Sequence, residues 1–183
     1  MNALLELPAI RERVMKFSVE DYHRFTEGQP TELLRGTILQ KMSKSFLHCE
    51  TVRRLFKILD RQIEPPLEVW KEDPLTFVDS EPEPDVAVIV RTKLGEEKNH
   101  PSTAEFVVEV AVSSLEIDRV KAFIYAEAGV REYWIVCPEE KRVEVYRQPG
   151  AHGYGERRDF SAPAVLECAA LPGVRVDLTP LFA

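Results

Sequence analysis

The most regular feature of the hydrophobic pattern is a pair of almost wholly apolar runs, at residues 86–90 and 106–112. Short continuous runs rich in valine are typical of strands that are covered on both faces of a sheet. Each run carries one carboxylate: Asp85 stands directly before the first run, and Glu109 lies inside the second. Because Asp and Glu are almost never fully buried without a partner, both carboxylates are expected to need a neutralising group.

The segment after the second run has a helical period with one charge on its apolar side. Residues 115–128 predict a helix with a buried stripe formed by Ile117, Val120, Ile124 and Ala128. Lys121 interrupts this stripe, so two carboxylates and a lysine are expected to face one interior. Taken singly, each charge also has a structural explanation. Asp85 would be exposed where its strand begins, Glu109 would pair with an arginine, and Lys121 would pair with Asp118 on the helix surface.

The rest of the pattern mixes short strands with helices. Capping boxes are expected at Ser18-Val-Glu-Asp21 and Ser113-Ser-Leu-Glu116, and an amphipathic helix over residues 48–63. Strands are expected on both sides of an Arg35-Gly36 turn and at residues 67–70, 75–78, 132–137 and 142–147. Residues 91–101 predict a loop. The 183 residues, without an internal repeat, therefore predict one α+β domain over residues 1–183, built on a mixed sheet.

Composition places the chain among ordinary soluble proteins. Hydrophobic residues make up 44% and charged residues 30%, and no apolar run approaches the length that crosses a bilayer. The N-terminus lacks a basic segment followed by a sustained apolar stretch, so a cytoplasmic protein with no membrane partner is expected. Cys49, Cys137 and Cys168 are odd in number and far apart, which argues against a disulfide framework and against a zinc–thiolate site.

The charge of the chain argues against a protein that coats nucleic acid. The net charge is −7 and the pI is about 5.2, whereas neutralising a phosphate backbone needs lysine and arginine. A local basic surface remains compatible with this balance. The predicted helix at residues 48–63 gathers four cations on one side, namely Arg53, Arg54, Lys57 and Arg61. They form either a stripe that follows a phosphate backbone or a solvated helix face, and the solvated face is favoured.

An acid pair beside one lysine is the arrangement that metal-assisted phosphoryl transfer requires. If the strands that carry Asp85 and Glu109 are neighbours, the two carboxylates can share one divalent cation. Mg²⁺ prefers oxygen ligands and is commonly held by one or two carboxylates together with substrate phosphates, and Mn²⁺ is the expected substitute. Lys121 is then expected to orient the attacking water or to bind the scissile phosphate.

Several segments together resemble the Uma-two family of putative restriction endonucleases. They are Pro84-Asp85-Val86-Ala87-Val88, Val107-Val108-Glu109-Val110 and Ser113-Ser-Leu-Glu-Ile-Asp118-Arg119-Val-Lys121, with Tyr125-Ala-Glu-Ala-Gly129-Val-Arg-Glu-Tyr-Trp134-Ile-Val after them. The resemblance covers nearly the whole chain and extends to the wider PD-(D/E)XK nuclease superfamily. It implies a restriction-endonuclease-like fold, in which helices flank a mixed β-sheet core, with additional antiparallel hairpins.

The resemblance also implies roles for individual residues. Asp85 and Glu109 would be the first and second catalytic acids, Lys121 the catalytic lysine, and Glu32 an additional acid near the metal. The metal ligands would be Asp85, Glu109 and Val110.

Three further positions qualify this resemblance. Ala111 stands where the superfamily pattern has its lysine, so that role would move to Lys121. Cys137 replaces an acidic residue of the family at a position taken as peripheral. His48 matches a family position at the start of a helix. Because no partner for His48 is visible in the sequence, a structural role is favoured over a catalytic one.

The chain is therefore predicted to be a Mg²⁺-dependent endonuclease that hydrolyses DNA phosphodiester bonds. DNA is the expected partner and a homodimer is a candidate assembly, while the sequence does not separate DNA from RNA or name a recognition sequence. Two alternatives stay open. One is a non-catalytic DNA-binding or interaction module that kept the nuclease fold. The other is a glycosidase with paired carboxylates, which would need an open cleft with aromatic side chains.

Overall fold

The computed structural model describes residues 14–91 and 100–183. Along these residues the chain forms four helices and ten strands. In chain order they are α1 (Val19–Thr26), β1 (Thr31–Leu34), β2 (Thr37–Gln40), α2 (Phe46–Asp60), β3 (Leu67–Trp70), β4 (Val86–Val90), β5 (Phe106–Val110), α3 (Leu115–Glu127), β6 (Glu132–Cys137), β7 (Arg142–Gly150), β8 (Gly153–Ser161), β9 (Val165–Glu167), β10 (Arg175–Asp177) and α4 (Leu178–Leu181). None of these helices has the length and apolar character needed to span a bilayer. Most of the predicted loop at 91–101 and the N-terminal segment 1–13 lie outside the described residues.

A six-stranded mixed sheet forms the centre of the fold, with the strand order β3-β4-β5-β6-β7-β8. Neighbouring strands are antiparallel except β5 and β6, which are parallel and are connected through α3. A parallel pair requires such a crossover because the chain must return to the same end of the sheet. Two antiparallel pairs, β1 with β2 and β9 with β10, lie outside it. The predicted α+β class with a mixed sheet and additional hairpins is confirmed, while the single domain over residues 1–183 stays a prediction.

Helices cover both faces of this sheet, which explains why β4 and β5 are apolar throughout. On one face, α2 packs through Leu55 and Leu59 into a cluster that includes β4 and β5. On the other face, α3 contributes Ala122 and Tyr125 to a second cluster that includes Val107. Since side chains alternate along a strand, Glu109 points to the same face as Val107, which is the face that α3 covers.

The buried side of α3 differs from the predicted stripe. Ile124 is buried as predicted, but Ile117 and Val120 are 39% and 53% exposed. The side that faces the sheet instead contains Asp118, Lys121, Ala122 and Tyr125. The stripe was wrong because the rotation of a helix about its axis depends on what it packs against. Here the rotation brings Lys121 to carboxylate partners on the sheet, and it leaves two aliphatic side chains partly in solvent.

Local sequence signals predict some elements correctly and others not. Ser18 and Asp21 form the expected capping box at α1, and the β1–β2 turn lies at Arg35 and Gly36, which both have positive φ. The prediction of a capping box at α3 was wrong, because the N-cap is Ser114, whose hydroxyl accepts no hydrogen bond from the helix backbone and donates to the Asp118 side chain. Residues 75–78 form no strand in the described structure, since a backbone turn from Phe77 to Ser80 occupies them.

Candidate active site

A cleft of about 140 Å³ lies where β4 begins and β5 ends. One wall is the segment 39–45, which runs from the end of β2 to the start of α2, and the other is the segment 112–114 between β5 and α3. The lining includes all four residues that the sequence analysis named as catalytic, namely Glu32, Asp85, Glu109 and Lys121. The fold therefore brings these residues together, and their catalytic roles stay predictions.

The backbone of β5 holds Asp85 in place. Asp85 Oδ2 accepts a 2.7 Å hydrogen bond from the Val110 N–H, and the Asp85 N–H donates to Glu109 Oε2 at 3.3 Å. The register of the two strands, in which Val86 pairs with Val108, sets this reciprocal arrangement. Asp85 is only 6% exposed. One carboxylate oxygen is thus fixed by the main chain, and Oδ1 remains for another partner.

Two donors from one helix meet at Glu109. The ammonium of Lys121 and the hydroxyl of Tyr125 both donate to Glu109 Oε1, at 3.0 Å and 2.9 Å. Residues four apart lie on the same side of a helix, so α3 presents both groups to β5 together. Lys121 also donates to Glu32 Oε1 at 3.0 Å. The lysine therefore bridges an acid of β1 and an acid of β5.

The buried groups of the cleft carry an excess of negative charge. Among the described residues they are Glu32, Asp85, Glu109 and Asp118, with one buried ammonium, Lys121. Burial raises the pKa of Glu109 well above its ordinary value, and Lys121 offsets only part of that rise. Burial also raises the pKa of Asp118 to about 6. Lys121 stays protonated: burial lowers its pKa, but Glu109 and Glu32 raise it by more. A further cation would therefore stabilise this cluster.

His48 presents a buried nitrogen to the same cleft. Its Nδ1 lies 2.9 Å from the Val110 carbonyl, and because a carbonyl only accepts, Nδ1 must carry the proton. Its Nε2 is buried and lies 3.0 Å from Asp85 Oδ1. Burial lowers the pKa of His48, while Asp85 and the Val110 carbonyl raise it by more. Nε2 is thus placed to bind a proton or a metal ion beside Asp85.

Glu72 completes a set of three ligand groups. The nearest ligand atoms of His48, Glu72 and Asp85 all lie within 4.8 Å of one another. One imidazole nitrogen and two carboxylates can hold a divalent cation, with water and substrate oxygens in the remaining positions. Glu72 lies just after β3 and has a left-handed backbone conformation, with φ at +61°. The chain therefore turns sharply at this residue.

The structure thus adds residues to the predicted site. His48 was favoured as structural, and its Nδ1 does make a structural bond, yet its second nitrogen faces Asp85. Glu72 was missed, since no motif surrounds it and only the tertiary fold brings it near Asp85. Tyr125 was missed as well, although its spacing of four from Lys121 was a usable signal. Val110 engages both main-chain groups, its N–H with Asp85 and its carbonyl with His48, and its role as a metal ligand stays a prediction.

The predicted basic stripe on α2 lies away from this cleft. None of its four cations appears among the described lining residues. Arg53 pairs with Glu50, and Arg54 donates to the carbonyl of the C-terminal Ala183. These contacts favour the solvated and structural explanation over a phosphate-binding stripe.

Comparisons with other proteins give a family match for the sequence and a similar fold among solved structures. The sequence pattern of the family Uma2, described as putative restriction endonuclease, matches residues 19–179. No curated protein matches the chain in sequence. Among solved structures, a putative nuclease belonging to DUF820 from Anabaena variabilis ATCC 29413 is similar in fold, with a TM-score of 0.76 and 19% identity. The similarity covers 91% of this chain and 97% of that one.

Proposed function

This chain belongs to the Uma2 family of putative restriction endonucleases, and on that premise we propose that it is a Mg²⁺- or Mn²⁺-dependent endonuclease that hydrolyses DNA phosphodiester bonds. The observation that carries the proposal is the composition of the buried cleft. Among the described residues that line it, four buried carboxylates accompany one buried ammonium, and the buried Nε2 of His48 lies 3.0 Å from one of them, Asp85. Such a cluster is short of positive charge and offers ligand atoms at the same point.

The residues fit a divalent cation. The close set of ligand atoms belongs to His48, Glu72 and Asp85. Glu109 lies next to this set, since it accepts a hydrogen bond from the Asp85 N–H. The bound ion would make a coordinated water more acidic and would stabilise the charge that develops on the phosphate oxygens. The position of Nε2, buried and 3.0 Å from Asp85 Oδ1, supports this fit, because an imidazole nitrogen and a carboxylate oxygen at that distance need a proton or a metal ion between them.

The other residues of the cleft would position the reacting groups. Glu32 and Glu109 hold the Lys121 ammonium from two sides, so its position is fixed before substrate arrives. From there Lys121 donates a hydrogen bond to the attacking water or to a phosphate oxygen. A charge that is already oriented costs no reorganisation during the reaction, which is why preorganised donors accelerate it.

The cleft lining argues against the glycosidase alternative. Among the described residues that line it, there is no phenylalanine, tyrosine or tryptophan on which a sugar ring would stack. The non-catalytic alternative is tested directly by activity.

Cleavage assays with purified protein test the proposal. Supercoiled, duplex and single-stranded DNA, and RNA for comparison, are incubated with Mg²⁺ or Mn²⁺ and with a chelator. We expect DNA cleavage that needs the ion and is abolished in Asp85→Asn, while Asp60→Asn, at the exposed end of α2, cleaves like wild type. Folded protein that cleaves none of these substrates with either ion would refute the endonuclease proposal and favour a non-catalytic module.

A further inference from the structure

Lys44 lies at the mouth of the cleft, directly against the proposed metal ligands. Its ammonium is 2.8 Å from Glu72 Oε1, and its side chain is 35% exposed. It belongs to the segment 39–45 that forms one wall of the cleft. Lys44 is thus a cation that contacts both a proposed ligand and the solvent from which a substrate would approach.

The charges around Lys44 show what holds it there. Its ammonium donates to Glu72 Oε1, and Glu72 belongs to the three-residue cluster with His48 and Asp85. Lys71 approaches the other oxygen of Glu72 at 3.6 Å, but it does not line the cleft. On the cleft side, therefore, Lys44 supplies positive charge to the cluster through its contact with Glu72.

We propose that Lys44 is an internal counter-ion of the His48–Glu72–Asp85 cluster that becomes a phosphate-binding residue once a divalent cation occupies the cluster. This inference rests on the proposed function. Two positive charges on the ion balance the two carboxylates, so the ammonium of Lys44 is then no longer compensated from within the protein. An uncompensated, partly exposed lysine at the mouth of the cleft attracts the nearest anion, which for a DNA substrate is a backbone phosphate.

The chain offers a matched control in Lys41. It lies on the same wall of the cleft and has a similar exposure, 21% for its side chain, but it pairs with Glu83, which is outside the three-residue cluster. Replacing either lysine with methionine removes one positive charge from the same wall and keeps a flexible apolar stem. If the two variants bind Mn²⁺ differently, the cause is therefore the contact of Lys44 with the cluster, because both variants lose the same charge from this wall.

The first experiment measures Mn²⁺ binding by calorimetry without DNA. Lys44 competes with the ion for Glu72, so Lys44→Met should bind Mn²⁺ about fivefold more tightly than wild type. Lys41→Met should bind it like wild type. Unchanged or weaker binding by Lys44→Met overturns the inference, as does an equal gain in both variants.

The second experiment measures the salt dependence of DNA binding in Ca²⁺, with a gel to verify that the oligonucleotide stays intact. Loss of one lysine–phosphate contact should lower the slope of log K against log salt by about one in Lys44→Met. In chelator the slopes of wild type and Lys44→Met should coincide, because Glu72 then retains the ammonium. The inference is overturned if wild type and Lys44→Met have equal slopes in Ca²⁺. It is also overturned if their slopes differ by the same amount in Ca²⁺ and in chelator.

The two proposals fail in distinguishable ways. If wild type binds no Mn²⁺, the proposed function and the role of Lys44 are both lost. If wild type binds Mn²⁺ but cleaves no nucleic acid, only the nuclease activity is refuted, and the Mn²⁺ titration of the two lysine variants still decides the role of Lys44.

Discussion

The ammonium of Lys121 lies 3.0 Å from Glu109 Oε1, and both groups are buried, at 5% and 3% exposure. This ion pair joins α3 to β5. It differs from an ion pair on the protein surface, because water cannot solvate either charge when its partner is removed. Loss of Lys121 therefore affects the stability of the protein as well as any chemistry of the cleft, because Glu109 and Glu32 share its ammonium.

Lys121→Met should reduce both activity and stability. The helical pattern by itself predicts that methionine is tolerated, but the structure reverses that expectation, because the variant leaves Glu32 and Glu109 without their shared cation. We expect the free energy of unfolding at pH 7 to fall by about 3 kcal/mol, as for broken buried ion pairs. DNA cleavage should fall by about a hundredfold, as for one lost preorganised donor.

Denaturant unfolding and single-turnover cleavage measure these two effects, and Val120→Met is the control. Val120 precedes Lys121 on the same helix and is 53% exposed, so its replacement should change neither quantity. Cleavage by Lys121→Met at the wild-type rate would exclude Lys121 from the reaction.

Glu109→Gln should leave the metal-free protein as stable as wild type or more stable. The substitution removes one charge from an acidic cluster, and Lys121 keeps its pair with Glu32. In thermal melts, Mn²⁺ should raise the melting temperature of wild type by more than that of the variant, by ligand linkage. A loss of several kcal/mol without metal would instead show that the attraction between Glu109 and Lys121 outweighs the repulsion within the acidic cluster.

His48→Asn separates the two nitrogens of the imidazole. The asparagine amide can still donate to the Val110 carbonyl, but it places no atom where Nε2 lies. We expect a protein that is folded like wild type and binds Mn²⁺ at least about tenfold more weakly. His23→Asn is the control, since His23 contacts Glu81 outside the cleft. Equal Mn²⁺ affinity in wild type and His48→Asn would show that His48 is structural.

Glu144 anchors α3 to the sheet from outside the cleft and should make stability depend on pH. Its buried carboxylate accepts hydrogen bonds from Arg119, Arg142 and Tyr146 at 2.6 to 2.7 Å. Burial raises the pKa of Glu144, but these donors lower it by more, from 4.5 to about 2. A depressed pKa in the folded state means that the stabilisation is present above pH 4.5 and is lost as the pH falls towards 2.

Glu144→Gln should therefore be less stable than wild type by up to about 3 kcal/mol at pH 7, with a gap that closes between pH 4.5 and pH 2. Urea unfolding across this range measures the gap. Glu140→Gln, which removes a 56% exposed partner of the same Arg142, should cost less than about 1 kcal/mol. A gap that does not change with pH would show that packing, and not the charge, accounts for the loss.

Part of the candidate site could be predicted because its signals are local. Asp85 and Glu109 stand out as single charges in continuous apolar runs, and Lys121 stands out in a helical period. The side of α3 that is buried was not predictable in this way. In the sequence, Ile117, Val120 and Ile124 form a plausible apolar stripe. In the structure, Lys121 faces the sheet because it donates to the carboxylates of Glu32 in β1 and Glu109 in β5.

The sequence by itself determined the buried strands, the class of the fold and the need of two acids for partners, because these follow from the polarity of adjacent residues. Tertiary structure decided which groups become those partners. His48 reaches Val110 across 62 positions of the chain, and Lys121 reaches Glu32 across 89. Such contacts depend on strand register and on the rotation of each helix, which the packing of the whole core sets and which no short segment encodes.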